Sequence, residues 1–212
     1  MNSYKTVKGN FSNTTVIERS KFICYVKGIA GETDAKEFVA EIRKMNSLAN
    51  HNCYAYIADE NGLIEKFSDD GEPQGTAGKP MLEALHGGGF KKTVAVVTRY
   101  FGGVKLGTGG LVRAYGGAVS ECLKKAAVMD MRRAVFLSVK TDYEGYNAIL
   151  RSQKNKAFSV YDTEFGGDIV IKIAVETGCS VAVIKGLTDC TLGRAEIKVV
   201  SEDYFDFGGL CR

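Results

Sequence analysis

Thirteen of the chain's 25 glycines fall between Gly71 and Gly117, although this stretch is under a quarter of the 212 residues. An excess confined to one region needs a local explanation. Either the backbone turns tightly there, or its amides approach a ligand closely. Charge changes sign across the same stretch. Residues 59–72 hold six acids and one base, Lys66, whereas residues 79–113 hold six bases and one acid, Glu83. The net charge of +3 is too small by itself to mark a nucleic-acid-binding protein, so this distribution carries the argument.

Periodicity predicts the elements around that stretch. Residues 15–28 read as one apolar-rich strand, and residues 33–48 as a helix with Phe38, Ile42 and Met45 on one face and Thr33 as N-cap. Residues 51–58 form a second, aromatic-rich strand that runs into a turn-prone acidic segment, 59–71. A short helix ends near His86, before Gly87, Gly88 and Gly89. Residues 93–101 are the clearest strand, and a helix follows over 110–126, with Thr108 placed to cap it.

Residues 124–133 look like a connection, after which the pattern restarts. A strand at 135–141, a helix at 144–155, strands at 158–165 and 168–176, a helix at 180–192 and a strand at 195–200 give a β-α-β-β-α-β order. Gly166 and Gly167 mark a hairpin turn, with Gly167 suited to positive φ. The chain is therefore expected to be α+β, with one domain over residues 1–130 and a ferredoxin-like domain over residues 131–212. Its six cysteines are scattered and mostly in apolar surroundings, which suits free buried thiols in a reduced, cytoplasmic protein. No apolar run of about 20 residues is present to span a bilayer, so no membrane partner is expected.

The glycine-rich stretch holds the candidate chemistry. Thr76–Pro80 and Thr108–Gly109–Gly110 each lead into a helix whose first amides lack intrahelical partners, a setting that favours anions. Lys79, Arg99, Lys105 and Arg113 supply cations nearby, and one ring of Tyr100 and Phe101 is expected to pack while the other can stack on a base. The anion or nucleic-acid site is therefore assigned to Lys79, Arg99, Tyr100, Lys105, Thr108, Gly109, Gly110 and Arg113. The plainer reading is a solvated basic face with glycines serving only the turns.

Enzyme motifs fit poorly. A Walker motif would need Gly at Pro73 and Ser or Thr at Pro80, and the dinucleotide spacing fails at Val112. His51 and Cys53 share a strand face, but packing is the plainer reading. An acid–base role for His51, Asp69 or Asp70 is the alternative that would make this an enzyme acting on a small phosphorylated substrate. Side-chain oxygens in residues 68–73 more commonly satisfy local amides, so Asp69 and Asp70 are read first as turn-forming groups. No metal-ligand spacing is present, and neither a metal nor a cofactor is expected.

The segments KFSDDGEPQGTAGKPML, residues 66–82, and VVTRYFGGVKLGTGGLVRAYGGAV, residues 96–119, resemble the signature of the IMPACT/YigZ family. RSKF at 19–22 and HNCYAY at 51–56 fit it too. The resemblance implies an N-terminal two-layer α+β domain like the second domain of a ribosomal small-subunit protein, followed by a ferredoxin-like domain. Eukaryotic relatives, which carry an additional RWD domain, look like translation regulators acting through a ribosome-associated activator of an initiation-factor kinase. What the resemblance implies here is a non-enzymatic protein that contacts RNA, the ribosome or a translation-associated protein in translation or stress. A protein-interaction module docking through a sheet edge is the third reading.

Overall fold

The computed structural model describes residues 3–152 and 158–208. The chain divides into two compact units, the first over Ser3–Met129 and the second beginning at Asp130.

In the first unit, β1 (Ser3–Val7) precedes a five-stranded antiparallel sheet in the order β2 (Asn10–Ile17), β3 (Ser20–Gly28), β6 (Thr93–Tyr100), β4 (His51–Ile57) and β5 (Glu65–Ser68). The strand expected over 15–28 is in fact most of a hairpin. Its turn residues, Glu18 and Arg19, have φ of 45° and 63°, a left-handed conformation that neither residue type announces. The acidic segment expected to be all turn likewise contains β5, which pairs with β4.

Helices cover both faces of this sheet, so the unit has a layer beyond the two that the resemblance implies. The cause is visible in β6, which is apolar on both sides. Ala95 and Val97 pack with Phe22, Cys24, Cys53 and Ala55 against α2 (Gly78–Gly87) and α3 (Gly107–Lys125). Val94 and Val96 pack with Tyr56 against Phe38, Val39 and Ile42 of α1 (Glu32–Met45). Thr33 lies inside the first turn of α1, whose N-cap is Gly31.

Two of the thirteen glycines in the glycine-rich stretch have a plain steric cause. A side chain at Gly78 would lie 2.8 Å from Ser68 N, and one at Gly102 would lie 2.1 Å from the Arg19 carbonyl. Both are positions where one backbone crosses another too closely for any Cβ.

The second unit contains β7 (Val128–Thr141), α4 (Tyr143–Ser152), β8 (Ser159–Phe165), β9 (Ile169–Glu176), α5 (Ser180–Cys190) and β10 (Glu196–Asp206), with β7 starting two residues before the division. The strands pair antiparallel in the order β10, β7, β9, β8, the arrangement expected of a ferredoxin-like βαββαβ unit. Ile169, Ile171 and Ile173 face Ile149, Val183 and Leu187 of the helices. Residues 166–168 join β8 to β9, but neither Gly166 nor Gly167 has positive φ. The last residues of the helix expected over 144–155, and Cys211, lie outside the described residues. Cys24, Cys53 and Cys122 are buried free thiols, whereas Cys179 is exposed. Among the described residues, no helix is long and apolar enough to cross a membrane.

Candidate anion-binding site

The two helix termini that look alike in sequence differ in their surroundings. At the start of α2, Asp69 reaches in from the preceding loop. Its Oδ1 accepts hydrogen bonds from the amides of Ala77 (3.0 Å) and Gly78 (2.8 Å), and its Oδ2 accepts from Gly75 (2.8 Å). A carboxylate of the protein thus already occupies the place an external anion would take. Lys79 is exposed on this turn, but the amides beside it are filled.

At the start of α3 no side chain caps the helix, and its first turn contains no acid. The helix begins at Gly107, three residues earlier than expected, so Thr108 sits within the first turn and caps nothing. Among the described residues, the amides of Gly107, Thr108 and Gly109 meet no protein acceptor. Arg113 folds back over this turn, its Nη1 lying 3.6 Å from where a Cβ on Gly109 would stand. Lys105 precedes the turn and, like Arg113, is exposed and makes no ion pair among the described residues. Pro80, next to Lys79, packs against Gly116 of α3, one turn beyond Arg113.

Arg99 is placed elsewhere. It alternates with Ala95 and Val97, and so points under α3 rather than out to solvent. It is 5% exposed, its Nη1 donates to Glu72 Oε1 at 2.7 Å, and its Nη2 donates to Ser20 Oγ at 3.4 Å. Its guanidinium lies over the rings of Phe22 and Phe101, 5.4 Å from each centroid. Arg99 is therefore not part of an open basic face.

Tyr100 points to the opposite side of the sheet, where its hydroxyl donates to Asn46 Oδ1 at 3.0 Å. Of the pair, Phe101 is the more exposed, at 46%, with the Arg99 guanidinium over its ring. Of the eight assigned residues, the structure brings Lys105, Thr108, Gly109, Gly110 and Arg113 together, sets Lys79 beside the α2–α3 crossing, and separates Arg99 and Tyr100 from them.

A buried polar network lies beneath. Glu72 Oε1 also accepts from the Tyr115 hydroxyl at 2.7 Å, and His51 Nε2 stands 3.8 Å away. His51 Nδ1 donates to the Asp70 carbonyl at 2.9 Å. Asp70 itself is filled, Oδ1 by Arg43 and Oδ2 by the Asn52 amide, both at 2.7 Å. Cys53 Sγ donates to the Asp69 carbonyl at 3.0 Å, and burial pushes its thiol up to about 12, with the neighbouring carboxylates adding to the effect. Burial also raises the Tyr115 phenol, so both groups are neutral donors at physiological pH. Sequence reasoning did not place Glu72 or Tyr115 here. The alternation through Arg99 was the available signal that a buried carboxylate had to exist.

These features define a class: a two-unit α+β protein whose first unit holds a sealed ionic network beneath one open helix terminus. The chain belongs to the IMPACT family. Residues 18–123 match the model of the Impact N-terminal domain. The IMPACT family member YvyE of Bacillus subtilis (strain 168) is 40% identical over 198 residues, spanning 93% of this chain and 91% of that protein. The IMPACT family member YigZ of Escherichia coli (strain K12) is 33% identical over 192 residues, spanning 88% and 92%. A solved structure, titled a crystal structure of a hypothetical protein, matches at a TM-score of 0.60 and 30% identity, covering 96% of this chain and 100% of that one.

Proposed function

We propose that this protein is a non-enzymatic RNA- or ribosome-binding protein acting in translation or stress, and that it grips the phosphate backbone at the start of α3. The observation that carries this reading is the Arg113 guanidinium lying beside Gly109, in a first turn whose amides have no acceptor among the described residues. A phosphate bound at this turn can accept from the amides and from Arg113 together. Lys105 adds charge at the rim, Lys79 extends it across the helix crossing, and the half-exposed Phe101 ring can stack on a base through the face that Arg99 does not cover.

The reading is non-enzymatic because the groups that acid–base chemistry would need are already engaged. Asp69 and Asp70 spend their oxygens on backbone amides and Arg43, and His51 Nε2, the nitrogen that the Nδ1–H bond leaves as acceptor, stands 3.8 Å from a Glu72 oxygen that already accepts from Arg99 and Tyr115. Sedimentation of the protein with ribosomes across a salt series tests the reading. The Lys105→Ala/Arg113→Ala protein should lose co-migration, and its binding to single-stranded RNA should show a log–log salt slope smaller by about 1.4, about 0.7 per lost phosphate contact. Unaltered co-migration would contradict it.

A further inference from the structure

On the other face of the sheet, between α1 and strands β4 and β5, lies a cleft of about 210 Å³ whose walls carry three cations from separate elements, Lys36, Arg43 and Lys66. Val39, Ala40, Tyr54 and Tyr56 complete its lining. Lys66 is brought there by its pairing with Tyr56 across β5 and β4, which puts both side chains on the α1 side.

The hydrogen-bond inventory of this cleft is one-sided. Glu32 Oε1 is occupied by Lys36 (2.9 Å) and by the Tyr56 hydroxyl (2.8 Å), and both oxygens of Asp70 are filled. Lys66 has no carboxylate within ion-pair distance among the described residues, and Lys36 and Arg43 each use only part of their donor capacity. Three cations therefore face two carboxylates, Glu32, whose charge also acts on Lys66, and Asp70.

The rings do not offer a stacking surface. Tyr54 has Tyr56 parallel beside it at 6.0 Å and the Arg43 guanidinium over its ring at 5.6 Å. The volume is also below the roughly 300 Å³ at which pockets begin to enclose a drug-sized ligand. Compact, multivalent and acceptor-only is the description of a phosphate group, not of a base.

We propose that this cleft is a second anion site, separate from the α3 terminus, that takes the phosphate of a phosphomonoester. That phosphate belongs either to a free nucleotide or to the 5′ end of an RNA. The test uses the full chain and calorimetric titration with adenosine 5′-monophosphate, adenosine, and one RNA oligonucleotide with and without its 5′-phosphate.

Adenosine monophosphate should bind and adenosine should not. Lys66→Glu should weaken the nucleotide about tenfold or more, as loss of a charge-assisted hydrogen bond requires, and Lys105→Ala/Arg113→Ala should leave it unchanged. An advantage of the 5′-phosphorylated oligonucleotide that Lys66→Glu removes identifies RNA ends as the source. Nucleotide binding without that advantage identifies a free nucleotide. Lys66 is exposed and makes no ion pair among the described residues, so the variant should fold; Lys36→Gln supplies an independent reading of the same cleft. No binding of adenosine monophosphate, binding indifferent to both variants, or binding lost only in the Lys105/Arg113 protein would overturn the proposal.

Discussion

Glu72 Oε1 and Arg99 Nη1 lie 2.7 Å apart with side chains only 3% and 6% exposed, joining the acidic loop to the central strand beneath α3. Through Tyr115 the same carboxylate holds α3, and through Ser20, which accepts from the Gly102 amide at 3.2 Å, Arg99 shares a partner with the glycine-rich loop. The pair therefore fixes the frame on which the open helix terminus is displayed, without itself meeting a ligand.

Breaking this pair should be costly. Glu72→Ala leaves a buried guanidinium unpaired, and should destabilise the first unit by about 3–5 kcal/mol. Because Arg99→Met removes the stranded charge, the double variant Glu72→Ala/Arg99→Met should lose clearly less than the sum of the two single changes. Urea unfolding of the three variants measures this, and simple additivity would refute the coupling.

Asp69 makes a different prediction. Asp69→Ala strands three amides at the start of α2 and should lower stability by about 2 kcal/mol. RNA affinity measured well below the melting temperature should not fall, since in the native protein Asp69 keeps α2 closed to outside anions. A large loss of affinity in the folded variant would show that α2 takes part in binding.

Alkaline pH should weaken the fold through Cys53. In the unfolded chain this thiol ionises near its ordinary value of 9.0, whereas in the folded chain burial holds the proton up to about 12. Its contribution is full below pH 9 and is lost as pH rises toward the folded value, because only the unfolded state releases the proton in that window. Cys53→Ala should begin less stable by about 1 kcal/mol from lost packing. The gap to the native protein should then narrow as pH rises from about 8 to about 10.5. Melting curves that stay parallel over this range would contradict the assignment.

The strongly periodic elements were legible in the sequence. The β6 strand, the aromatic β4 strand, the α3 helix and the βαββαβ order all follow from spacing. The hairpin before α1 was hidden because Glu18 and Arg19 adopt left-handed backbone without a glycine to signal it. Asp69 was legible as a turn residue but not as a cap for amides up to nine residues ahead, since known capping patterns span three. Arg99 and Tyr100 were grouped with the exposed cations by proximity along the chain. Strand alternation sends one under α3 and the other toward α1, and the run of Ala95 and Val97 already carried that parity.

The central claim is that α3 begins where an external anion belongs, while α2 begins with its own. Gly109→Asp tests it directly, because the new carboxylate would give α3 the internal anion that Asp69 gives α2. Gly109 has ordinary backbone geometry, and only Arg113 Nη1 comes near its missing side chain, so the change should be tolerated. An acid in a first turn should raise stability by about 0.3–1 kcal/mol. Gly109→Asp should melt at or above the temperature of the native protein and show a marked loss of single-stranded RNA affinity in fluorescence anisotropy. A folded Gly109→Asp protein that binds RNA as tightly as the native one would contradict it.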